Sequence, residues 1–288
     1  MYEQFYGLRE KPFALAPNPA YLYLSRHHRH ALTLLEYSIL QPAGFAVITG
    51  EVGCGKTTVV QRFLDGKPEG LRVGLLCNTH AGIGPLLPWI LDALDVPVPA
   101  DRSETSHELH RMLVAFLRKN YAEGRRTLLV IDEAQNLSLG TLEELRVLSN
   151  VNTGKDLLLQ TILIGQPELR TTLRGPRMKQ FAQRIMVDYH LGPLKREETH
   201  AYVAHRLEVA GGSTTLVSAD AIELVYESTQ GVPRLVNILC DTALVYGFAD
   251  QRPSVDAALV EEVLSDRAGG VLPLKSSRRA AAETVVRG

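Results

Sequence analysis

Three observations predict an α/β fold for this 288-residue chain: a parallel sheet covered by helices on both sides, followed by a smaller helical domain. Strand-type apolar runs alternate with helix-type stretches from Phe45 to Leu191, the order that builds a parallel sheet. The first run leads into Gly50-Glu51-Val52-Gly53-Cys54-Gly55-Lys56-Thr57, which fits G-x-x-x-x-G-K-[ST] between a strand and a helix. After Pro193 the strand signals cease and only helical stretches follow.

Residues 1–43 read as an arm and a helix. The aromatics of Phe5-Tyr6-Gly7-Leu8 and Lys11-Pro12-Phe13, followed by Pro17-Asn18-Pro19, suggest an extended arm packed on a globular body. Ser25 to Leu40 then reads as a helix with Leu32, Leu35, Ile39 and Leu40 toward the core. Its first turns carry Arg26, His27, His28, Arg29 and His30. These fit a solvated helix start or a contact to nucleotide or partner better than a metal site, because no partner set accompanies them.

The sheet domain is expected over 44–192, with strands at Phe45–Ile48, Arg72–Cys77, Thr127–Ile131, Leu157–Ile164 and Ile185–Leu191. Thr127–Ile131 is a continuous β-type run of the kind buried on both faces. Helices are expected over Leu86–Leu94 and Glu108–Arg118, the latter opened by a capping box at Thr105-Ser106-His107-Glu108. A second capping box is expected at Thr141-Leu142-Glu143-Glu144. The helical domain spans 193–266. Its stretches are Glu197–Ala210, stopped by Gly211-Gly212, then Ala219–Thr229 behind an N-cap at Ser218, Pro233–Phe248 and Val255–Leu264. Residues 267–288 lack apolar periodicity and read as a disordered tail or linker.

Composition narrows the class of protein. With 45% hydrophobic and 22% charged residues, the chain is an ordinary globular one, and a net charge of −1 argues against a broadly basic nucleic-acid binder. Cys54, Cys77 and Cys240 lie far apart with no C-x-x-C, which fits a reducing compartment rather than a disulfide framework. The start Met1-Tyr2-Glu3-Gln4 has no basic-then-apolar leader, and no apolar run approaches a membrane span. A cytoplasmic protein is expected, with attachment to the inner membrane only through partners.

The glycine loop carries phosphate chemistry. Gly50, Gly53 and Gly55 let backbone N–H groups turn toward phosphate oxygens, and the following helix points its positive end at the same anion. Lys56 adds a charge on the β- and γ-phosphates, and the Thr57 hydroxyl is a Mg²⁺ ligand. Cys54 and Thr58 complete the nucleotide-contacting stretch. Leu128-Leu129-Val130-Ile131-Asp132-Glu133 is an apolar strand ending in two acids: Asp132 to hold Mg²⁺ and Glu133 to polarise the attacking water.

Gln166, at the end of Leu157–Ile164, either reaches the γ-phosphate and lytic water or caps the helix that starts near Pro167. Arg184, just before the last strand, suits a finger reaching the γ-phosphate of a neighbouring subunit. With Arg170, Arg174, Arg177 and Lys179 it also fits a solvated basic face or a DNA contact. Arg234, in Gly231-Val232-Pro233-Arg234, sits near a helix start where the dipole mildly disfavours it, which points to a functional role toward the phosphates.

Together, phosphate loop, Asp-Glu strand end, polar strand end, pre-strand arginine and Gly-x-Pro-Arg in a helical lid resemble the AAA+ ATPases. More narrowly, FYGL, KPF, PNP, YLYLS, GEVGCGKTT, IDEAQNLS, LIGQPELR, QRI and GVPRLVN are similar to the ExeA/GspA family of secretion-associated ATPases, over about residues 1–266. Related ATPases serve exopolysaccharide systems, and others are the transposition regulators TniB, TnsC and MuB.

The resemblance implies a P-loop NTPase core of the catalytic-glutamate branch with strand order 5-1-4-3-2. It implies Mg²⁺-dependent ATP hydrolysis at subunit boundaries of a homo-oligomeric ring or filament, with Arg184 acting in trans and Arg234 as the lid sensor. The partners implied are envelope or secretion machinery, so the chain reads as an oligomeric motor or assembly factor. The alternative is an ATP-dependent DNA-binding regulator that recruits a transposase. Longer family members continue into a membrane span and a peptidoglycan-binding domain, so this sequence is expected to be either a part of such a protein or a short member.

Overall fold

The structure, a computed structural model, describes residues 1–16, 18–41, 44–77, 84–98 and 105–267. Of the tail expected at 267–288, all but Arg267 lies outside these residues, as does Pro17 of the arm. Two compact units are present. One comprises His27–Glu51 and Val59–Leu191; the other comprises Met1–Arg26, Val52–Thr58 and the residues from Gly192 onward.

The first unit is built on five strands: β1 (Phe45–Gly50), β2 (Leu71–Leu76), β3 (Arg126–Ile131), β4 (Leu159–Gly165) and β5 (Ile185–Leu191). All pairings are parallel and the order is β2-β3-β4-β1-β5, which is 5-1-4-3-2 from the other edge. Every residue of β1 and β4 is buried, so these central strands carry apolar residues on both faces rather than alternating. The edge strand β5 alternates in exposure and shifts register against β1 between Phe45 and Ala46.

Helix α1 (Arg26–Leu40) precedes β1; α2 (Lys56–Asp65), the pair α3 (Leu86–Ala93) and α4 (Ser106–Ala122), α5 (Leu139–Leu148), and the pair α6 (Pro167–Leu173) and α7 (Lys179–Ala182) fill the four connections between strands. The core gathers Ile90, Leu113, Leu129, Leu142, Leu163 and Phe181, each about fully buried, and each such side chain contributes roughly 1.5–3 kcal/mol by leaving water. Phe181 packs on Phe45 with ring centroids 4.3 Å apart.

Local signals account for most boundaries. Thr105 opens α4 with a complete capping box: its Oγ1 accepts from Glu108 N at 3.4 Å, and Thr105 N donates to the Glu108 carboxylate at 2.7 Å. Three of the departures from the sequence reading concern a cap, a helix face and a strand start. Ser138, not Thr141, caps α5, because its Oγ accepts the Thr141 amide at 3.0 Å, so the helix starts at Leu139. Leu40 is 70% exposed; the inner face of α1 is His28, Ala31, Leu35, Ser38 and Ile39, a set at helical spacing that passes over it. Leu157 pairs antiparallel with Asn152 before β4 begins at Leu159.

The second unit holds α8 (Arg196–Val209), α9 (Ala219–Thr229), α10 (Pro233–Ala249) and α11 (Ala257–Asp266). Ser218 Oγ caps α9 by accepting from Ala221 N at 3.2 Å. The N-terminal arm belongs to this core: Tyr2, Leu8, Phe13 and Tyr21 are buried among Val203, Leu207 and their neighbours. Arg206 fixes the arm. It is buried, donates to the carbonyls of Pro12 and Ala14, and lies over the Tyr21 ring at 4.8 Å. Tyr2 donates to Asp241, and burial together with this bond holds its phenol well above the usual range. No helix among the described residues is long and apolar enough to cross a membrane.

Candidate functional site

In the sheet unit, the ends of β3 and β4 bring together Asp132, Glu133 and Gln166, three of the residues that the sequence singles out. Asp132 follows the last residue of β3. It is buried, its amide donates to Leu76 O at 2.9 Å, and its Oδ1 accepts the Glu133 amide at 2.8 Å. Glu133 has φ 53°, a left-handed conformation that costs a side-chain-bearing residue of order 1–3 kcal/mol.

The Glu133 carboxylate is held from two sides. Gln135 Nε2 donates to its Oε2, and Gln166 Nε2 donates to the same oxygen at 3.3 Å. Gln135 Oε1 in turn accepts the Gln166 amide at 3.0 Å. Gln166 stands at the N-cap position of α6, yet its side chain makes no capping bond; it is turned to Glu133 instead.

Gly50 ends β1, where a Cβ would meet Leu191 O at 2.5 Å, so only glycine fits against β5 there. Arg184 lies elsewhere, immediately before β5. Its Nη1 donates to Ser149 Oγ at 2.9 Å and its Nη2 to Asn150 Oδ1, both just past α5.

In the basic segment, Arg170 pairs with Asp188 at 3.0 Å, an acid supplied from β5, while Arg174, Arg177 and Lys179 are exposed. In the histidine cluster, His27 Nδ1 lies 2.9 Å from Tyr189 OH. Among the described residues no group of three or more His, Cys, Asp or Glu side chains could hold a metal ion.

In the helical unit, the loop Val52–Thr58 takes the shape its glycines allow. Gly53 and Gly55 have φ +85° and +90°. Cys54 and Lys56 are buried, Thr57 is exposed and Thr58 half-buried. The start of α10 rests on this loop. Arg234 N donates to Gly53 O at 3.3 Å, and a Cβ at Gly53 would stand 2.5 Å from Arg234 Cβ. Pro233 is the first residue of α10, where its missing N–H costs nothing. Gly231, at φ +71°, leaves no room for a Cβ, which would be 2.0 Å from Leu194 O. The Gly-x-Pro-Arg sequence is therefore a backbone device: the glycine admits Leu194, the proline starts the helix, and Arg234 meets the loop.

The role of Gln135 is not legible from its residue type, since the sequence shows it only as part of IDEAQNLS. Gly53 is legible as a phosphate-loop glycine, but its close fit against Arg234 is not. The signal for Gln135 was its place two residues after Glu133, within reach of the same carboxylate.

Comparison with known proteins agrees with this architecture. Residues 39–173 match the family model of an AAA domain. General secretion pathway protein A of Aeromonas hydrophila is 42% identical over 249 residues, 86% of this chain; the chain spans 45% of that protein's length. Among solved structures, the Aeropyrum pernix ORC2 protein superposes with a TM-score of 0.65 at 19% identity, covering 91% of this chain and 72% of that one. Cdc6p from Pyrobaculum aerophilum gives a TM-score of 0.64 at 16% identity, covering 85% and 67%. At these identities the structural likeness speaks for the fold. The chain thus carries an AAA domain and is homologous to general secretion pathway protein A over 86% of its length.

Proposed function

We propose that the chain binds ATP with Mg²⁺ and hydrolyses it, acting as a homo-oligomeric motor or assembly factor for a secretion, envelope or exopolysaccharide system from the cytoplasmic side of the inner membrane. The observation that carries the hydrolytic reading is Glu133, held at a strand end by the side-chain amides of Gln135 and Gln166. A carboxylate so fixed is suited to accept a proton from water.

On this reading Gly50, Gly53, Cys54, Gly55 and Thr58 line the phosphates, Lys56 neutralises them, and Thr57 and Asp132 ligate Mg²⁺. The hydroxyl and carboxylate oxygens of this pair are the hard donors Mg²⁺ takes. The ion usually keeps waters and phosphate oxygens for the rest of its shell, so a protein cage is not required. When bound it draws charge from the phosphates. Arg184 would complete a neighbour's site, and Arg234 would report the loop's state to α10. The solved ORC2 relative in fold is described as ADPNP and ADP complexes, which supports an adenine nucleotide.

Phosphate release tests the reading. Lys56→Ala and Glu133→Gln are each expected to abolish turnover, with Glu133→Gln still binding ATP. Turnover untouched by both changes would sink it. The exposed Arg174, Arg177 and Lys179 favour a second reading, a nucleotide-switched DNA-binding regulator of transposition. ATP-dependent, salt-sensitive retention on DNA would support it, and no retention at low salt would eliminate it.

A further inference from the structure

The contacts of Gln135 go beyond filling space. Its amide uses both ends at once: Nε2 donates to Glu133 Oε2, and Oε1 accepts the backbone N–H of Gln166. The second contact fixes which way the amide points. With Oε1 committed to an N–H, the end left for Glu133 must be the donor.

The fold makes room for this arrangement. Residue 165 is glycine, and a Cβ there would stand 3.0 Å from Gln135 Oε1 and 2.8 Å from Leu169 Cδ2. Glu133 itself is in the left-handed region at φ 53°, a conformation that the surrounding contacts must hold. Gln135 stands in the short 3-10 turn Ala134–Asn136, right after Glu133, so it rides on the same backbone.

We propose that Gln135 is the positioning residue of the hydrolytic carboxylate: it ties the β3 end to the β4 end and presents Glu133 and Gln166 as one rigid pair. This rests on the reading of Glu133 as the residue that activates water. A base held in the correct direction contributes to the rate in a way that nucleotide binding does not require. The role therefore predicts a loss in kcat without a matching change in KM.

The test compares Gln135→Ala, Gln135→Glu and Glu133→Gln in the full chain, by ATP turnover, binding of a fluorescent ATP analogue and thermal unfolding. Gln135→Glu is nearly isosteric. It keeps the oxygen that accepts from Gln166 N–H but replaces the donor to Glu133 with a second carboxylate. We expect both Gln135 variants to lose about 10–100-fold in kcat, with KM and analogue affinity within about twofold of wild type and the Gln135→Glu melting temperature within about 2 °C. Gln135→Ala with Gln166→Ala should lose less than the product of the two single losses, because both act through one carboxylate.

Wild-type kcat in Gln135→Glu overturns the proposal, since the donor would then be irrelevant. A loss confined to KM, or a fall in melting temperature that accounts for the lost activity in both variants, overturns it as well. Glu133→Gln separates the two levels. If that variant is inactive while Gln135→Glu is normal, only the positioning role fails. If Glu133→Gln turns over ATP normally, the hydrolytic reading has failed and the positioning role falls with it.

Discussion

Replacing Gly53 by alanine tests how the phosphate loop is held. Two independent penalties meet at this residue. Its φ of +85° is open to glycine but costs an alanine about 1–2 kcal/mol. The added Cβ would also stand 2.5 Å from Arg234 Cβ, closer than two carbons approach, with Arg234 Cδ at 3.3 Å. Relieving that overlap requires the first turn of α10 to shift, an overpacking cost of about 1–3 kcal/mol.

Together they predict a loss of roughly 3 kcal/mol, or on the order of 10 °C or more in the thermal transition. Differential scanning calorimetry measures it. Arg234→Gly removes the opposing Cβ, so Gly53→Ala placed on that background should cost only the backbone share, about 1–2 kcal/mol. A Gly53→Ala protein that melts within 1 °C of wild type would refute the reasoning: the loop would not be held at this φ against α10. An equal cost on both backgrounds would assign the whole penalty to the backbone and none to the contact.

Three further outcomes are expected. Ser138→Ala should cost about 1 kcal/mol in urea unfolding and Thr141→Ala clearly less, because Ser138 supplies the oxygen that accepts the Thr141 amide; the reverse order would move the cap. With iodoacetamide at pH 8, exposed Cys77 should be alkylated, more slowly than a free thiol because partial desolvation and the nearby Asp132 push its thiol up. Cys54 and Cys240 should resist until urea is added, Cys240 because burial raises its thiol to about 12; mass spectrometry of the labelled sites reads the order, and early labelling of Cys240 contradicts it. Finally, if Arg184 serves a neighbouring copy, mixing inactive Lys56→Ala and Arg184→Ala proteins should restore turnover, and an unchanged rate in assembled Arg184→Ala alone would remove that role.

What could be read from residues alone follows from the range of the physics involved. Strand and helix placement rests on periodicity within a dozen residues; β1 is visible as an apolar run closed by small residues, whereas the burial of Gln160 and Thr161 in β4 is not. The Thr105 and Ser218 caps are also local, a side chain bonding an amide three residues on. Ser138 obeys the same rule, but Thr141-x-x-Glu144 offers the fuller capping-box pattern in the sequence, while the start itself is set by which oxygen reaches the amide.

Strand order is a different matter. The 5-1-4-3-2 arrangement came from resemblance, because neither apolar run nor spacing states which strands are neighbours. The remaining contacts join residues far apart in the chain. Gln166 meets Glu133 only because β4 lies beside β3, and Gly53 must be small only because α10 begins against it. A motif marks a glycine or an acid as chemically able; the neighbour that limits its freedom is supplied by the fold. Gln135 shows the consequence most clearly. Its type carries no catalytic signal, yet its amide, committed to Gln166 at one end, presents a donor to Glu133 at the other. The orientation of a carboxylate is thus decided by a residue that a search for titratable groups would pass over.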